Sequence, residues 1–473
     1  MRIRYGFAIF ALIAARSVVA QQGLQATANQ IPSDDEIRKV LVDRIDVLHK
    51  STGMVVGIVT PKGRRIIAYG QARDGDARPP DGDTVFEIGS VTKVFTALEL
   101  ADMWQRGEVS PEDPVSKYLQ AEAKIPARNG HVITLADLAT QTSGLPFFPS
   151  DFPEKIPSAF ATYSLPQMYR FLSAYTLDRD PGTKWEYSNF GYGILGNALA
   201  RRAGVPYAVL IRDRITKPLG MTSTAIDLSP SMAARFASGH DANLQATPQW
   251  TLPSMEGAGS LRSTADDLLK LLAAFAGAEP STLSPAMAKM LEIQRPGPGF
   301  RQALGWWVLE TAPGSTFETH EGGTFGYSST IAYDPASHTG VVVLSNGVTG
   351  DGGLAWHLLR PSFPVETSDK AKLLHSRKEI QLSPDVLRTY AGRYQPPSPG
   401  TVITIEQRNG QLFLKTSSAP QGLQLHAEGD LEFFIEEADL QVSFQKDSQN
   451  RITALVIHFG GSNNVAPRLN DAP

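Results

Sequence analysis

Cysteine is absent from this chain of 473 residues, and long apolar runs are scarce. Without cysteine the protein has no disulfide, thiol nucleophile, cysteine-ligated metal or lipid-modified N-terminal cysteine. The nine histidines include no H-E-x-x-H motif, and we expect neither a metal site nor a cofactor. The charge is nearly balanced, with 48 acidic and 44 basic residues, and no basic stripe indicates a nucleic-acid partner.

The longest apolar run near the start is too short to favour a membrane span. Two arginines precede the run at 7–15, and small residues occupy 17–20. This pattern is typical of a signal peptide, so we expect residues 1–20 to be removed and the protein to be exported, to the periplasm or outside the cell. An uncleaved membrane anchor is the alternative. No later run is long enough to cross a bilayer, so we expect no transmembrane segment after cleavage.

Length and composition indicate more than one folded domain. With 42% hydrophobic and 19% charged residues, a chain of this length is expected to form two or three domains with sizeable cores. We place a first domain at 21–365, a charged linker at 366–386 and a second domain at 387–473. In the last segment, short strand patterns and the hairpin signal Asn409-Gly410 predict a small antiparallel β-barrel.

One stretch, 86–100, reads as a buried helix that opens on a glycine and a serine. Lys93 follows Ser90 by three residues, about one helical turn, so both side chains project from the same face. Apolar neighbours lower the pKa of a lysine, and a neutral lysine beside a serine hydroxyl can help to remove its proton. The alternative is an exposed lysine near a serine that caps the helix.

Two later stretches carry further candidate site residues. Tyr187 and Asn189 lie in a turn-rich segment, where a phenol that relays protons and an amide could converge on one ligand. His320, Gly322 and Gly323 precede a predicted strand at the edge of a groove, where a free N–H could stabilise an oxyanion. Alternatively, the first pair belongs to a structural turn and the histidine is a satisfied structural residue.

Residues 191–196 match the G-x-G-x-x-G pattern of dinucleotide sites. That fingerprint requires an apolar strand directly before it within a βαβ unit. Here the polar stretch 183–186 comes first, so we interpret the glycines as positions of close helix packing. The preceding segment, 147–184, is rich in proline, aromatic and polar residues and is predicted to be an irregular excursion over the core.

Together, Ser90-x-x-Lys93, Tyr187-x-Asn189 and the histidine motif resemble those of the serine β-lactamase and penicillin-binding-protein-like family. The similarity is to its class C branch: class C β-lactamases, D-Ala-D-Ala carboxypeptidases and related esterases. It implies an α/β (α+β) fold with an antiparallel sheet flanked by helices, a helical region, and a C-terminal lipocalin-like barrel. It also implies that Ser90 is acylated, that Lys93 and Tyr187 share the proton transfers, and that Asn189 binds the substrate amide. The N–H groups of Ser90 and Gly323 would form the oxyanion hole.

One motif departs from that family. Class C β-lactamases carry Lys-Thr-Gly where this chain has His320-Glu321-Gly322. A lysine is a constant cation for a carboxylate, whereas histidine is mostly neutral near pH 7. We therefore do not expect efficient β-lactam hydrolysis. If the charge of His320 matters, the rate should respond to pH in the ordinary histidine range.

The predicted function is that of an exported serine hydrolase. It would work through an acyl-enzyme at Ser90 on amide, ester or D-amino-acid peptide substrates, the last derived from peptidoglycan. The alternative is a catalytically silent cell-wall or penicillin-binding protein that keeps the pocket. The sequence leaves open the exact substrate, the oligomeric state, the role of the barrel, and which of Lys93 and Tyr187 is the general base.

Overall fold

The computed structural model describes residues 31–469, apart from 77, 121–122, 154–156, 313, 350–352, 369–377, 397–401, 417–418, 436–439 and 460–461. The predicted signal peptide, 1–20, lies outside the described residues. So does the middle of the predicted linker.

The α-helices, in chain order, are α1 (Asp34–Val42), α2 (Thr92–Gln105), α3 (Leu135–Ala139), α4 (Leu165–Ala174), α5 (Asn189–Ala203), α6 (Tyr207–Ile211), α7 (Pro230–Ala234), α8 (Glu256–Gly259), α9 (Ala265–Phe275), α10 (Ser284–Lys289), α11 (Leu354–Leu359) and α12 (Pro384–Tyr390). Tighter 3₁₀ turns occupy Gly89–Val91, Val115–Lys117 and Pro157–Thr162, and wider π turns extend α1 and α6 over Asp43–Val47 and Arg212–Thr216.

The strands are β1 (Gly53–Thr60), β2 (Gly63–Gly70), β3 (Phe86–Glu87), β4 (Ala127–Arg128), β5 (His131–Val132), β6 (Arg262–Ser263), β7 (Arg295–Pro296), β8 (Arg301–Gln302), β9 (Trp307–Ala312), β10 (Ser315–Gly323), β11 (Ser328–Asp334) and β12 (Thr339–Ser345) in the first part of the chain. The second part adds β13 (Gly392–Tyr394), β14 (Ile403–Arg408), β15 (Gln411–Thr416), β16 (Ala419–Ala427), β17 (Glu432–Ile435), β18 (Leu440–Lys446), β19 (Ile452–Phe459) and β20 (Ser462–Pro467).

A sheet of eight strands is the centre of the first part, in the order β2-β1-β12-β11-β10-β9-β8-β7. Every pairing in it is antiparallel. The central strands β1 and β12 are rich in valine and buried on both faces, as expected for strands that are covered by helices on both sides.

Alternate residues of β1 enter two different cores. Val55 and Val59 join the large cluster that also contains the apolar side chains of α2, α5 and α9. Val56 and Ile58 point to the opposite face and pack with α1 and α11. The two-residue period of a strand therefore separates a helical region on one face from a thinner helical layer on the other. The helical region is the side on which the candidate site lies.

The second part forms an eight-stranded antiparallel sheet in simple sequence order, β13 to β20. Its ends meet: Gln395 N donates to Pro467 O at 2.9 Å, and Leu469 N donates to Arg393 O at 2.8 Å. The sheet is thus a nearly closed barrel, which confirms the predicted all-β C-terminal domain. Aliphatic side chains fill most of its interior, together with four buried aromatic residues, Tyr390, Tyr394, Phe433 and Phe444.

The backbone corrects one local prediction and supports another. The segment 147–184 is not wholly irregular, because Ser164 and Gln167 form a capping box that starts α4. The 191–196 glycines lie inside α5, where a Cβ on Gly193 would approach Met255 Cγ to 2.5 Å and one on Gly196 would approach Gly257 Cα to 3.1 Å. Close helix packing is therefore the role of this pattern.

Candidate active site

The turn Gly89–Val91 places Ser90 directly before α2. Gly89 has φ of +47°, and a Cβ there would lie 2.5 Å from Gly323 O and 2.6 Å from Gly323 N. Only glycine permits both this backbone conformation and this close approach. The turn and the end of β10 are consequently pressed together, and Ser90 sits at the positive end of the helix dipole.

Lys93 is completely buried and has three polar partners. Its Nζ lies 2.9 Å from Ser90 Oγ, 2.7 Å from Asn189 Oδ1 and 2.6 Å from the carbonyl oxygen of Ala258. Burial lowers the pKa of Lys93 well below its ordinary value. An amine in this position can take up the proton of the serine hydroxyl. The alternative of an exposed lysine near a capping serine does not describe this site.

A loop after α3 holds the tyrosine and asparagine motif in place. Gln141, in the left-handed conformation at φ of +60°, accepts from Ser188 N with its side chain at 2.7 Å and from Glu186 N with its main chain at 2.7 Å. The carbonyl oxygen of Phe147 accepts from Asn189 N at 3.0 Å. Asn189 then begins α5, so its side chain starts from a fixed helix end.

Tyr187 reaches the nucleophile from this loop. Its hydroxyl lies near the Ser90 side chain, and Lys93 Nζ lies 4.8 Å from the centroid of its ring. Loss of solvation raises the pKa of Tyr187 above its ordinary value, and the charge of Glu321 adds to that effect. The phenol is therefore protonated at neutral pH in the free protein. It can donate a hydrogen bond or relay a proton.

His320 lies near the end of β10 with 2% of its surface exposed. Its ring stacks on Trp307 at a centroid distance of 5.0 Å, and Nδ1 lies 2.7 Å from the main-chain oxygen of Glu321. Burial, followed by the nearby charge of Lys93, lowers the pKa of His320 to about 3. A response in the ordinary histidine range is therefore not expected from this residue, since it stays neutral above about pH 4.

Gly322 and Gly323 bring β10 against the nucleophile turn. A Cβ on Gly322 would lie 2.1 Å from Ile88 O and 2.5 Å from Ser329 Oγ. Ser329 Oγ itself donates to Ile88 O at 2.9 Å. No larger residue than glycine fits between these groups. The spacing of the histidine motif is thus explained by contact with the turn that carries Ser90.

The structure brings the predicted site residues into one region and adds others that side-chain patterns did not reveal. Ala258 contributes only a main-chain oxygen, and Gln141 only supports the loop. Buried Glu87 binds Trp250 N at 2.7 Å and lies 3.5 Å from Arg262. In the sequence, only the glycine-rich stretch around 257–259 indicated the loop that contains Ala258.

Across the described ranges, no group of three or more histidine, aspartate or glutamate side chains could hold a metal ion. Nor does any helix in the described part of the chain combine the length and the apolar character that crossing a membrane requires.

Known proteins are similar to this chain in sequence and in fold. The profile of the family described as Beta-lactamase matches residues 41–361. A second profile, Domain of unknown function (DUF3471), matches residues 376–471. The chain belongs to the β-lactamase family. It is a serine hydrolase of the class C β-lactamase and D-alanyl-D-alanine carboxypeptidase kind, as its motifs indicated.

Individual relatives agree with this assignment. The D-alanyl-D-alanine-carboxypeptidase/endopeptidase AmpH of Escherichia coli is 31% identical over 310 residues, which are 62% of this chain and 79% of the relative. A β-lactamase of Pseudomonas fluorescens is 26% identical over 353 residues, which are 66% of this chain and 94% of the relative. Among solved structures, the β-lactamase/D-alanine carboxypeptidase from Yersinia pestis has a TM-score of 0.59 at 25% identity, covering 69% of this chain and 100% of its own.

Proposed function

We propose that this protein is an exported serine hydrolase that forms an acyl-enzyme at Ser90 with amide, ester or D-amino-acid peptide substrates. The observation that carries the proposal is the buried contact of Lys93 Nζ with Ser90 Oγ at 2.9 Å and with Asn189 Oδ1 at 2.7 Å. A nucleophile in contact with a desolvated amine is the arrangement that acyl transfer requires. The relatives named as carboxypeptidases and β-lactamases support the same reaction class.

The first half of the reaction forms a covalent bond at Ser90. Its Oγ attacks the substrate carbonyl carbon while Lys93 takes the hydroxyl proton. The N–H groups of Ser90 and Gly323, which the contact at Gly89 holds close together, stabilise the oxyanion. Asn189 orients the substrate amide.

Collapse of the tetrahedral intermediate breaks the scissile bond. Tyr187, protonated at rest, gives its proton to the departing nitrogen or oxygen and recovers one from Lys93. Water then attacks the acyl carbon by the same proton path in reverse. The directions of the two pKa shifts favour Lys93 as the base and Tyr187 as the relay.

In this proposal, recognition of the substrate at the position of His320 does not depend on a carboxylate. A buried, neutral His320 replaces the lysine of the family motif, so no constant cation stands at that position. Peptides and esters are therefore better candidates than β-lactams.

The proposed organisation has four parts: a signal peptide at 1–20, the hydrolase domain at 21–365, a linker at 366–386 and the barrel at 387–473. The two family matches, which end at 361 and begin at 376, support the division. Sequencing the N-terminus of the mature protein tests the first boundary. A mature chain that begins at residue 1 contradicts it.

Labelling with a fluorophosphonate or a fluorescent penicillin tests the hydrolase. We expect a covalent adduct on Ser90 by mass spectrometry, none in Ser90→Ala, and hydrolysis of at least one substrate among nitrocefin, D-Ala-D-Ala peptides and short acyl esters. A catalytically silent cell-wall-binding protein, the alternative, would bind peptidoglycan fragments without turnover. Full activity of Ser90→Ala toward every substrate found contradicts the proposal.

A further inference from the structure

We propose that His320 recognises substrate as a hydrogen-bond acceptor, so that this subsite takes an amide N–H where the lysine of related enzymes takes a carboxylate. The substrates of this class are D-amino-acid peptides or depsipeptides whose leaving group ends in a carboxamide. The inference rests on the proposed function, because it concerns the substrate of the same site.

The hydrogen bond at Nδ1 fixes the tautomer of the ring. Nδ1 lies 2.7 Å from the main-chain oxygen of Glu321. A carbonyl oxygen can only accept, so Nδ1 carries the hydrogen. A neutral imidazole has one N–H, and Nε2 therefore presents a lone pair. A lysine ammonium at this place would present only donors.

Stacking fixes the plane of the ring, and the bond to Glu321 fixes the positions of its two nitrogens. Trp307 covers one face of His320 at 5.0 Å between centroids and 26° between planes. Phe300 in turn stacks on Trp307 at 5.3 Å and 29°. A half-turn of the imidazole would keep this stack but break the bond to Glu321. The acceptor nitrogen is thus held in one orientation.

The ring lies on the side of the sheet that carries the nucleophile. His320 is directly opposite Ile331 in the β10–β11 register, and directly opposed residues share a face. Ile331 belongs to the core that contains α2. The charge of Lys93 also acts on His320. No hydrogen bond to Nε2 is found among the described residues.

The nearby charges also disfavour a carboxylate. Glu321 is close enough for its charge to act on Tyr187. Burial lowers the pKa of Lys93, so a positive charge on that side chain is disfavoured. A substrate carboxylate would face the Nε2 lone pair. A carboxamide of the same shape would donate an N–H to Nε2 instead.

A pair of matched substrates tests the inference: an N-acyl-D-alanyl-D-lactate and its D-lactamide, which differ only in carboxylate against carboxamide. We expect kcat/KM of the wild-type protein to favour the lactamide by at least about tenfold. His320→Lys should reverse the preference. His320→Gln, which keeps an acceptor, should retain part of it, and His320→Leu should lose it.

A control variant uses a histidine with the same bond but away from the site. Nδ1 of His338 lies 2.6 Å from the main-chain oxygen of Ala276, after α9. His338→Gln should leave the substrate ratio unchanged. A wild-type preference for the lactate, or a ratio that His320→Lys does not change, overturns the inference.

Failure of the inference is separable from failure of the proposed function. Fluorophosphonate labelling of Ser90 reports the hydrolase independently of either substrate. If neither compound is turned over by a protein that labels, protection of Ser90 from the label gives the same comparison. Stronger protection by the lactamide supports the inference, and equal or weaker protection overturns it.

Discussion

In the proposed site, His320 changes the recognition of substrate while the surrounding motif is kept. Its position in the sequence predicted a group near the substrate, and its residue type predicted a weaker cation than lysine. The structure goes further, because burial against Trp307 keeps the ring neutral. The same site can therefore retain its nucleophile chemistry and alter the polarity of the group it binds.

This neutrality makes two pH predictions for His320. Because its pKa in the folded protein is about 3, His320 should cause no inflection of kcat/KM between pH 5 and 8. His320→Gln should therefore leave the shape of the pH profile in this range unchanged. The unfolded chain takes up a proton on this histidine below about pH 6.5, whereas the folded protein does not until about pH 3, so stability falls as the pH decreases through that window. Urea unfolding at pH 4, 5.5 and 7 should show a smaller loss in His320→Gln. An equal loss in both proteins contradicts this account.

Glu99 is a second buried group with a measurable consequence. It lies on α2 with no exposed surface, and neither carboxylate oxygen has a hydrogen-bond partner in the described part of the chain. Burial raises the pKa of Glu99 to about 9 although Arg214 lies 3.6 Å away. Folding consequently requires a proton at neutral pH, and stability falls as the pH rises from about 4.5 to 9.

Glu99→Gln should remove that dependence. We expect it to stabilise the protein by about 2 kcal/mol at pH 8 and by little at pH 5, as measured by thermal or urea unfolding. Glu112→Gln, at an exposed position, is the matched control and should not change the stability at pH 8 or at pH 5. A variant that is less stable than the wild type at pH 8 would show that Glu99 is charged and paired in the folded protein.

At the scale of elements, the turn Gly89–Val91 contacts β10, and this contact brings together the two residues whose N–H groups we propose as the oxyanion hole. Gly89→Ala would place a methyl group 2.5 Å from Gly323 O and strain a backbone at φ of +47°. We expect at least about a 100-fold loss of kcat/KM and a loss of a few kcal/mol in stability. Enzyme kinetics and urea unfolding measure the two effects.

Gly107 supplies the control for this variant. It also has a positive φ, +70°, but a Cβ there meets nothing within 4 Å. Gly107→Ala should therefore cost only the backbone term, about 1 kcal/mol, with little change in kcat/KM. Equal effects of the two substitutions would show that the contact with β10 is unimportant.

About half of the strands and the order of the motifs could be predicted from the sequence because both depend on local patterns. The hairpin at Asn409-Gly410 is an example, with φ of +51° and +77° at its two residues. Helix α4 and strands β10, β16 and β20 were not anticipated. The helix is hidden in a segment of mixed composition, and the three strands contain glycine, proline or weakly alternating residues. The histidine motif therefore lies within β10 and not, as predicted, before a strand. The contact of the Ala258 carbonyl with Lys93 and the support that Gln141 gives to Ser188 could not be predicted, because a glycine-rich stretch and a turn-rich loop do not specify which atoms they bring to the site.

At the scale of the whole molecule, two separate sets of buried residues hold the hydrolase region and the barrel. The barrel core consists of residues from 387 onward, whereas the two other cores end at 363. The interior of the barrel contains an aromatic cluster among aliphatic side chains, and Phe444 lies 4.7 Å from Tyr390 and 5.4 Å from Phe433 between centroids. The barrel is thus a packed unit with its own source of stability.

Phe444→Ala should destabilise the barrel by about 3–5 kcal/mol. We expect greater protease sensitivity after residue 384, with labelling of Ser90 preserved. Val465→Ala, at a position that is 38% exposed, is the control and should change neither property. Loss of labelling together with the barrel would show that the two units depend on each other for folding.

The strand order also has a consequence for synthesis. Met54 of β1 pairs with Ser345 of β12, so the centre of the sheet cannot form until nearly all of the hydrolase region has left the ribosome. Contacts of such long sequence separation slow folding. The nascent chain therefore stays unfolded until its central strands pair. For the export that we propose, this delay keeps the chain in a state that can pass through a translocation pore.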